Sequence, residues 1–207
     1  MAFKLAALDR LVSELTKLPG VGEKTAQRLA LFILKSGTEY SKALRAALEH
    51  VDAEIRVCAR CFAYTDSIEL CAICRDSNRD DSLICVVEEA PDVMRVDSII
   101  GGFKGRFHVL QGAISPLEGV SPESLKIREL VERVERGQKG EGPAIREVVL
   151  VLDADLEGDT TALYLAKLLH GRDLKLTRIA HGVPFGSDID YIDQRTLGRA
   201  LQNRVEL

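Results

Sequence analysis

Cys58-Ala59-Arg60-Cys61, nine residues, then Cys71-Ala72-Ile73-Cys74: residues 58–74 decide how this chain is put together. Each Cys-x-x-Cys pair can wrap one side of a metal ion. The nine-residue spacer is long enough to bring the second pair round and complete a tetrahedron of thiolates. A closed four-sulfur site leaves no coordination position for water or substrate, which is the structural form of zinc binding. Two disulfides or a redox-active dithiol would use the same residue type. Disulfides need an oxidising compartment, and a redox motif needs only one Cys-x-x-Cys at a strand-to-helix junction. The pattern points to one structural Zn2+ per chain, held by Cys58, Cys61, Cys71 and Cys74, so function must lie on either side of it. Cys85, inside Leu83-Ile84-Cys85-Val86-Val87, reads as a buried strand residue behaving as a small hydrophobe.

The 207 residues, 46% of them hydrophobic, suffice for one core or two small ones. Lys4, Asp9 and Arg10 interrupt the N-terminal stretch, so no signal peptide is expected. No stretch approaches the ~18 apolar residues of a membrane span. The expectation is a cytoplasmic, nucleoid-associated protein with no membrane partner, whose thiols stay reduced. The net charge of −4 argues against a surface that coats nucleic acid everywhere. The charge is unevenly placed, however. Residues 1–61 carry ten Lys/Arg against seven Asp/Glu, whereas residues 82–207 carry sixteen against twenty. A footprint for a polyanion belongs in the first third. The excess there is small, so affinity per subunit should be weak unless several copies act together.

Leu5, Leu8, Leu11, Val12, Leu15 and Leu18 recur at helical spacing and predict a helix over 4–18, broken by Pro19 and Gly20. A second helix is predicted from Glu23 to Lys35. Ser41 can cap a third, with Leu44, Ala47, Leu48, Val51 and Ile55 facing inward. Beyond the cysteines the period changes. Leu83–Val87 and Val148–Leu152 are short apolar runs, as expected of strands buried on both faces. Further strands are predicted at Phe107–Leu110 and Leu174–Ile179, and helices from Pro91, over 122–136 and over 159–170, with a polar loop at 137–142. This alternation predicts a parallel sheet covered by helices.

Two constellations carry chemistry. Leu18-Pro19-Gly20-Val21-Gly22-Glu23-Lys24-Thr25-Ala26 lies between two predicted helices. Gly20 and Gly22 permit a tight turn that leads uncovered amides into a helix N-terminus, where a phosphate is favoured. Lys24 and Arg28 fall on one face beside it. The stretch resembles the helix-hairpin-helix motif, which grips the DNA backbone without reading sequence; an ordinary helix–helix turn with solvated charges is the plain alternative. The second constellation places Glu88 after one buried strand, and Asp153, Asp155 and Glu157 after another. Carboxylates at neighbouring strand ends share the crevice where open α/β sheets bind ligands, and acids brought together there favour Mg2+ or a basic partner. This arrangement is similar to the Toprim domain of topoisomerases, primases and some nucleases; solvated acids at strand ends and a helix N-terminus are the alternative. Tyr40, Tyr64, Tyr164 and Tyr191 come with no large gate, so topoisomerase activity is not expected.

The order of parts, together with Val87–Val93, Gly112–Leu117, Glu157–Leu169 and His181-Gly182-Val183-Pro184, resembles the RecR family of bacterial recombination mediators over the whole chain. The fold class is then α+β in several parts. A helix-hairpin-helix region over 1–57 serves DNA binding and oligomerisation, a four-cysteine zinc finger covers 58–81, a mostly parallel α/β Toprim domain 82–177, and a C-terminal segment 178–207. The resemblance implies a non-enzymatic DNA repair protein that binds single- and double-stranded DNA. It also implies that the protein works with RecO and RecF to load RecA onto strands covered by single-strand-binding protein, as a ring-shaped tetramer. Lys24 and Arg28 match the family's basic DNA-contacting positions. One departure is Asp153-Ala154-Asp155, where the family usually reads Asn-Pro-Thr; it leaves room for Mg2+. The rival functions are a Toprim-type Mg2+-dependent nuclease using Glu88, Asp153 and Asp155, and a zinc-stabilised DNA-binding scaffold.

Overall fold

A run of leucines ended by Pro-Gly, and apolar strands separated by amphipathic helices, demand different layers, and the chain forms them in two separate units. The computed structural model describes residues 5–99, 101–180 and 182–205, and divides into residues 1–55 and 56–207. His181 lies outside the described residues.

The first unit is helical: α1 (Ala6–Leu15), α2 (Glu23–Lys35) and α3 (Gly37–Glu54). Helix α2 packs against both neighbours, and its buried side chains are the small Ala26 and Ala30, one turn apart, which allow close approach. Helix α3 begins at Gly37, whose φ of +83° reverses the chain directly after α2. Ser41 is therefore not a cap. It lies inside the helix, and its hydroxyl donates back to the Thr38 carbonyl at 3.0 Å. The inward face expected on α3 is also uncovered: Leu48 is 62% and Val51 56% exposed. With only α2 against it, one stripe of α3 finds no opposing layer within the unit.

The second unit opens with a short antiparallel ribbon, β1 (Arg56–Val57) and β2 (Tyr64–Thr65), and a one-turn helix, α4 (Ala72–Arg75). Then follow β3 (Asp80–Val87), α5 (Ala90–Asp97), β4 (Gly105–Val109), a 3-10 turn (Pro122–Ser124) and α6 (Ile127–Gln138). Last come β5 (Glu147–Val151), α7 (Leu156–Leu169), β6 (Lys175–Arg178), a second 3-10 turn (Ile189–Tyr191) and α8 (Gln194–Gln202). The four strands β4-β3-β5-β6 form one parallel sheet in that order. Alternation sorts the side chains. Ile84, Val86, Val148 and Leu150 join Leu130 and Val134 of α6 and Leu165 and Leu169 of α7 on one face. Cys85, Val87, Phe107 and Val109 join Val93 of α5 on the other. Fully burying each such side chain contributes about 1.5–3 kcal/mol, which makes this sheet the core of the unit.

The predicted helix over 122–136 is split. Its first turn is 3-10, and the Lys126 N–H donates across to the Leu110 carbonyl at 2.9 Å before α6 begins. That crossing also serves His108. Its fully buried ring must donate from Nε2, because the partner at 2.7 Å is the Lys126 carbonyl; burial holds the imidazole neutral, with its pKa pushed down to about 4. At its other end α6 runs on through Gly137, where a Cβ would stand 2.5 Å from the Pro143 carbonyl oxygen, so the expected polar loop starts later.

Helix α8 has no counterpart among the sequence expectations. It has no buried residue, and a charge cluster holds it. Asp159 in the first turn of α7 receives Arg178 from β6 at 2.6 Å and Arg199 from α8 through a short two-pronged contact. These two guanidinium groups, Arg199 first, hold the Asp159 carboxyl well below the usual carboxylate range. A carboxyl with a depressed folded pKa lends stability that is full above its unfolded value of about 3.9 and is lost as pH falls below it. Asp159→Asn should lower the melting temperature at pH 7 and flatten the decline between pH 5 and 3, measured by thermal unfolding across pH. Wild-type and variant curves that run parallel would contradict this role.

Candidate functional site

The four predicted cysteines converge. Among the described residues they are the one group of three or more His, Cys, Asp or Glu whose ligand atoms all lie within 4.8 Å of one another. Cys61 and Cys71 Sγ are 3.6 Å apart. A Zn–S bond of about 2.3 Å sets the sulfurs of a tetrahedral site about 3.8 Å apart, so the donor set fits zinc. Each pair lies on a tight turn. The Phe62 N–H returns to the Cys58 carbonyl at 3.0 Å, with Phe62 itself at a φ of +63°. Cys71 precedes the first residue of α4. Backbone amides also reach the sulfurs, Cys71 N–H to Cys58 Sγ at 3.3 Å and Cys74 N–H to Cys71 Sγ at 3.4 Å. Such donors favour thiolates. Hydrogen bonds from Cys61 and then Cys74 draw the Cys71 thiol down, and the same pairing pushes Cys61 up. Cys85, also fully buried, stands outside the group, and burial alone pushes its thiol up to about 12.

The knuckle is seated on the sheet. Val109 N–H at the end of β4 donates to the Cys61 carbonyl at 2.8 Å. Arg106, 3% exposed on β4, donates from Nη1 to the Ile73 carbonyl at 2.5 Å and from Nε to Asp81 at 2.7 Å. Arg60 reaches the Cys74 carbonyl at 3.3 Å. Sequence reading missed these arginines because each acts across a long chain separation; the visible trace of Arg106 is a charge inside an otherwise apolar strand.

In the helical unit, Gly20 adopts φ +74°, and the Val21 N–H closes the turn onto the Leu18 carbonyl at 3.1 Å. Gly22 then caps α2 without a side chain. The first-turn amides are left uncovered by any capping group, and the helix dipole adds a positive potential there. Lys24 and Arg28 are both exposed one turn apart. Among the described residues neither has a carboxylate partner. Uncovered amides with two cations beside them give this turn the chemistry of an anion site.

The acids behave differently from expectation. Val87 pairs with Val151, so Glu88 and Asp153 do leave β3 and β5 side by side, at the point where the strand order reverses. No three of these carboxylates have ligand oxygens all within 4.8 Å of one another, however. Glu88, 9% exposed, turns inward and accepts the Asp153 N–H at 2.9 Å. Asp155 caps α7 by accepting the Gly158 N–H at 2.8 Å. Glu88, Asp153, Asp155 and Glu157 thus form a rim at the strand ends, in which backbone amides engage two of the four carboxylates. Burial pushes the Glu88 carboxyl up; the Asp153 amide opposes this, and the charges of Asp153, Asp155 and Asp92 add to it. Gly158 makes the tight packing possible: a Cβ there would stand 2.2 Å from the Asp153 carbonyl oxygen and 3.0 Å from Glu88 Oε1. Beside Asp153 a cavity of about 310 Å³ is walled by Ile179 and by Arg195 and Arg199 of α8. Thr161, fully buried in α7, receives the Ile114 N–H at 2.8 Å and so fixes the loop that begins at Gly112.

Four family descriptions match consecutive stretches: the RecR helix-hairpin-helix over residues 8–51, the RecR four-cysteine zinc finger domain over 55–76, the Toprim domain over 82–180 and the RecR C-terminal region over 182–205. Curated relatives match almost end to end. Recombination protein RecR of Bdellovibrio bacteriovorus is 63% identical over 203 residues, 98% of each chain. The proteins of the same name from Anaeromyxobacter dehalogenans and Myxococcus xanthus are 54% and 48% identical over 200 residues, covering 97% of this chain and 97% and 98% of theirs. The hairpin, the four-cysteine knuckle, the parallel sheet and the C-terminal helix therefore belong together, and the chain is a member of the RecR family.

Proposed function

We propose that the chain is a recombination and DNA repair mediator that binds DNA, single- or double-stranded, without reading sequence. It acts in the cytoplasm with RecO and RecF to load RecA onto strands covered by single-strand-binding protein, and it is a scaffold rather than an enzyme. The observation that carries this reading is the α1–α2 turn. Uncovered amides at a helix N-terminus and two exposed cations, Lys24 and Arg28, without a carboxylate partner among the described residues, suit phosphate, and contacts to phosphate carry no base information. The near-complete similarity to proteins named for recombination supports the cellular role. The modest positive excess of the N-terminal third fits a multimer in which several weak grips act on one DNA; the resemblance to the family makes that multimer a tetrameric ring. No described helix is long and apolar enough to cross a membrane.

One structural Zn2+ per chain completes the proposal. Cys58, Cys61, Cys71 and Cys74 would hold it, and four protein ligands leave no open position for catalysis. Glu88 and Asp155 each accept a backbone amide, and we read these acids as a docking rim and not as the carboxylate set of a Mg2+-dependent nuclease. The rim of Asp153, Asp155 and Glu157 instead suits a basic surface on a partner protein.

For DNA, Lys24→Glu with Arg28→Glu should abolish binding while zinc content and oligomer size stay as in the wild type. Milder removal of both charges (to Gln) should flatten the salt dependence by roughly 0.9 logarithmic units per lost phosphate contact. Fluorescence anisotropy with labelled oligonucleotides reads both; undiminished affinity in an assembled double variant would refute the grip. For the rim, Asp153→Asn with Asp155→Asn should weaken association with RecO or RecF in sedimentation and leave DNA affinity alone. Metal-dependent DNA cleavage by the wild type, lost in that variant, would promote the nuclease reading.

A further inference from the structure

Between the knuckle and α6 lies a recess of about 450 Å³, distinct from the α1–α2 turn and from the acidic rim. Three arginines wall it, Arg60 from the knuckle and Arg133 and Arg136 from α6, beside the apolar Phe62, Leu70 and Pro143. A solvated helix face would carry such charges along one element. Here they meet from two, around a concave surface.

The partners of these groups decide what the recess attracts. Arg133 is half-buried, and its Nη1 donates to the Phe107 carbonyl at 2.9 Å, which fixes the guanidinium at the wall. A guanidinium offers further donors besides that one, and among the described residues Arg133 has no carboxylate partner. Arg136 makes a long contact with the Glu141 carbonyl at 3.5 Å, and Arg60 stands 3.9 Å from Asp81. Three carboxylates also line the recess, but each is held by a cation from outside the wall. Asp81 is paired with Arg106 at 2.7 Å, Glu129 with Lys126 at 3.0 Å and Glu132 with Arg128 at 3.5 Å. The three arginines of the wall and these three outside cations thus stand against three carboxylates. The surplus is positive, and a concave wall focuses its field.

We propose that this recess is a second DNA contact, which takes a backbone phosphate of single-stranded DNA. Planar, forked donors match the oxygens of a phosphate. The apolar walls give the adjoining sugar or base a dry surface, and cations beside apolar platforms hold single strands without reading them. A recess of this volume admits one nucleotide of a strand and not a duplex. The proposal rests on the reading of the chain as a DNA-binding protein, but it lies in the other unit from the α1–α2 turn and can fail separately.

The test is fluorescence anisotropy on the full chain with a labelled single strand and the corresponding duplex, each across a range of salt. Two double variants are compared with the wild type, Arg133→Gln with Arg136→Gln and Arg60→Gln with Arg136→Gln, alongside the exposed control Arg95→Gln on α5. Both double variants should bind the single strand about tenfold more weakly, the scale of one charge-assisted hydrogen bond. Their salt dependence should flatten by about 0.7 logarithmic units per lost phosphate contact. Duplex affinity, and both affinities of Arg95→Gln, should match the wild type. The second double variant keeps the Arg133 hydrogen bond to Phe107 and decides alone should the first fail to fold. Undiminished single-strand affinity overturns the proposal, and so does an equal loss on strand and duplex, which would be general electrostatics. A labelled mononucleotide separates the sources of phosphate: no binding supports the strand, whereas binding that the variants lose would give the recess to a free nucleotide. Weakened association with a partner protein at unchanged strand affinity would give it to an acidic protein surface instead. A wild type that binds no DNA removes the DNA reading and this proposal together.

Discussion

The contact on which the second unit depends is the seat of the four-cysteine knuckle against β4. In the sheet order β4 is an edge strand, and an edge strand presents unpaired amides and carbonyls. Here the Val109 N–H goes to the Cys61 carbonyl, Arg106 crosses to the Ile73 carbonyl, and the cysteines share an apolar cluster with Phe107 and Val109. The knuckle thus replaces the helix that would otherwise cover this end of the face. Residues 58–74 are too few to bury a core of their own, so a metal is the natural means of fixing their shape before they can cap a strand.

The rest of the unit follows from that closure. With α5 and the knuckle on one face of β3 and β4 and α6 and α7 on the other face of the sheet, β3 can end in the fully buried apolar run Ile84–Val87. The open end lies at the carboxyl termini of β3 and β5, where the strand order reverses. A sheet of this kind usually offers ligands a crevice there. In this chain the crevice is partly filled by its own polar groups. Glu88 is committed to the Asp153 amide, Asp155 to the Gly158 amide, and Asp159 to two arginines that hold the C-terminal helix. The helical unit is built by another rule, with small alanines at its contact and a glycine turn that exposes amides, and it needs no metal for that.

What could be read from the sequence was local. Helix α2 begins and ends where Gly22 and the residues after Lys35 said it would, because a glycine turn and a reversal of the chain bracket it. The strand runs of β3 and β5 were legible because a segment buried on both faces has no polar alternation to blur it. The cysteine spacing located the metal ligands because zinc geometry constrains sequence directly. Features decided by competition at a distance were not legible. Whether acids at strand ends gather round an ion depends on which backbone amides lie nearer, and Ser41 loses its capping role because Gly37 starts the helix one turn earlier. Helix α8 carries little apolar burial and is held by charges, so it gives no strong periodic signal tied to the core.

The central claim is that the cysteine cluster is a structural closure of the sheet and not an active site. Backbone hydrogen exchange on the zinc-loaded chain and on the same chain stripped by chelation, with metal content measured in each sample, tests it most directly. The account predicts that stripping the metal abolishes protection at Arg106, His108 and Val109 of β4 and along the adjoining β3. Unchanged protection of β4 in metal-free protein would contradict it.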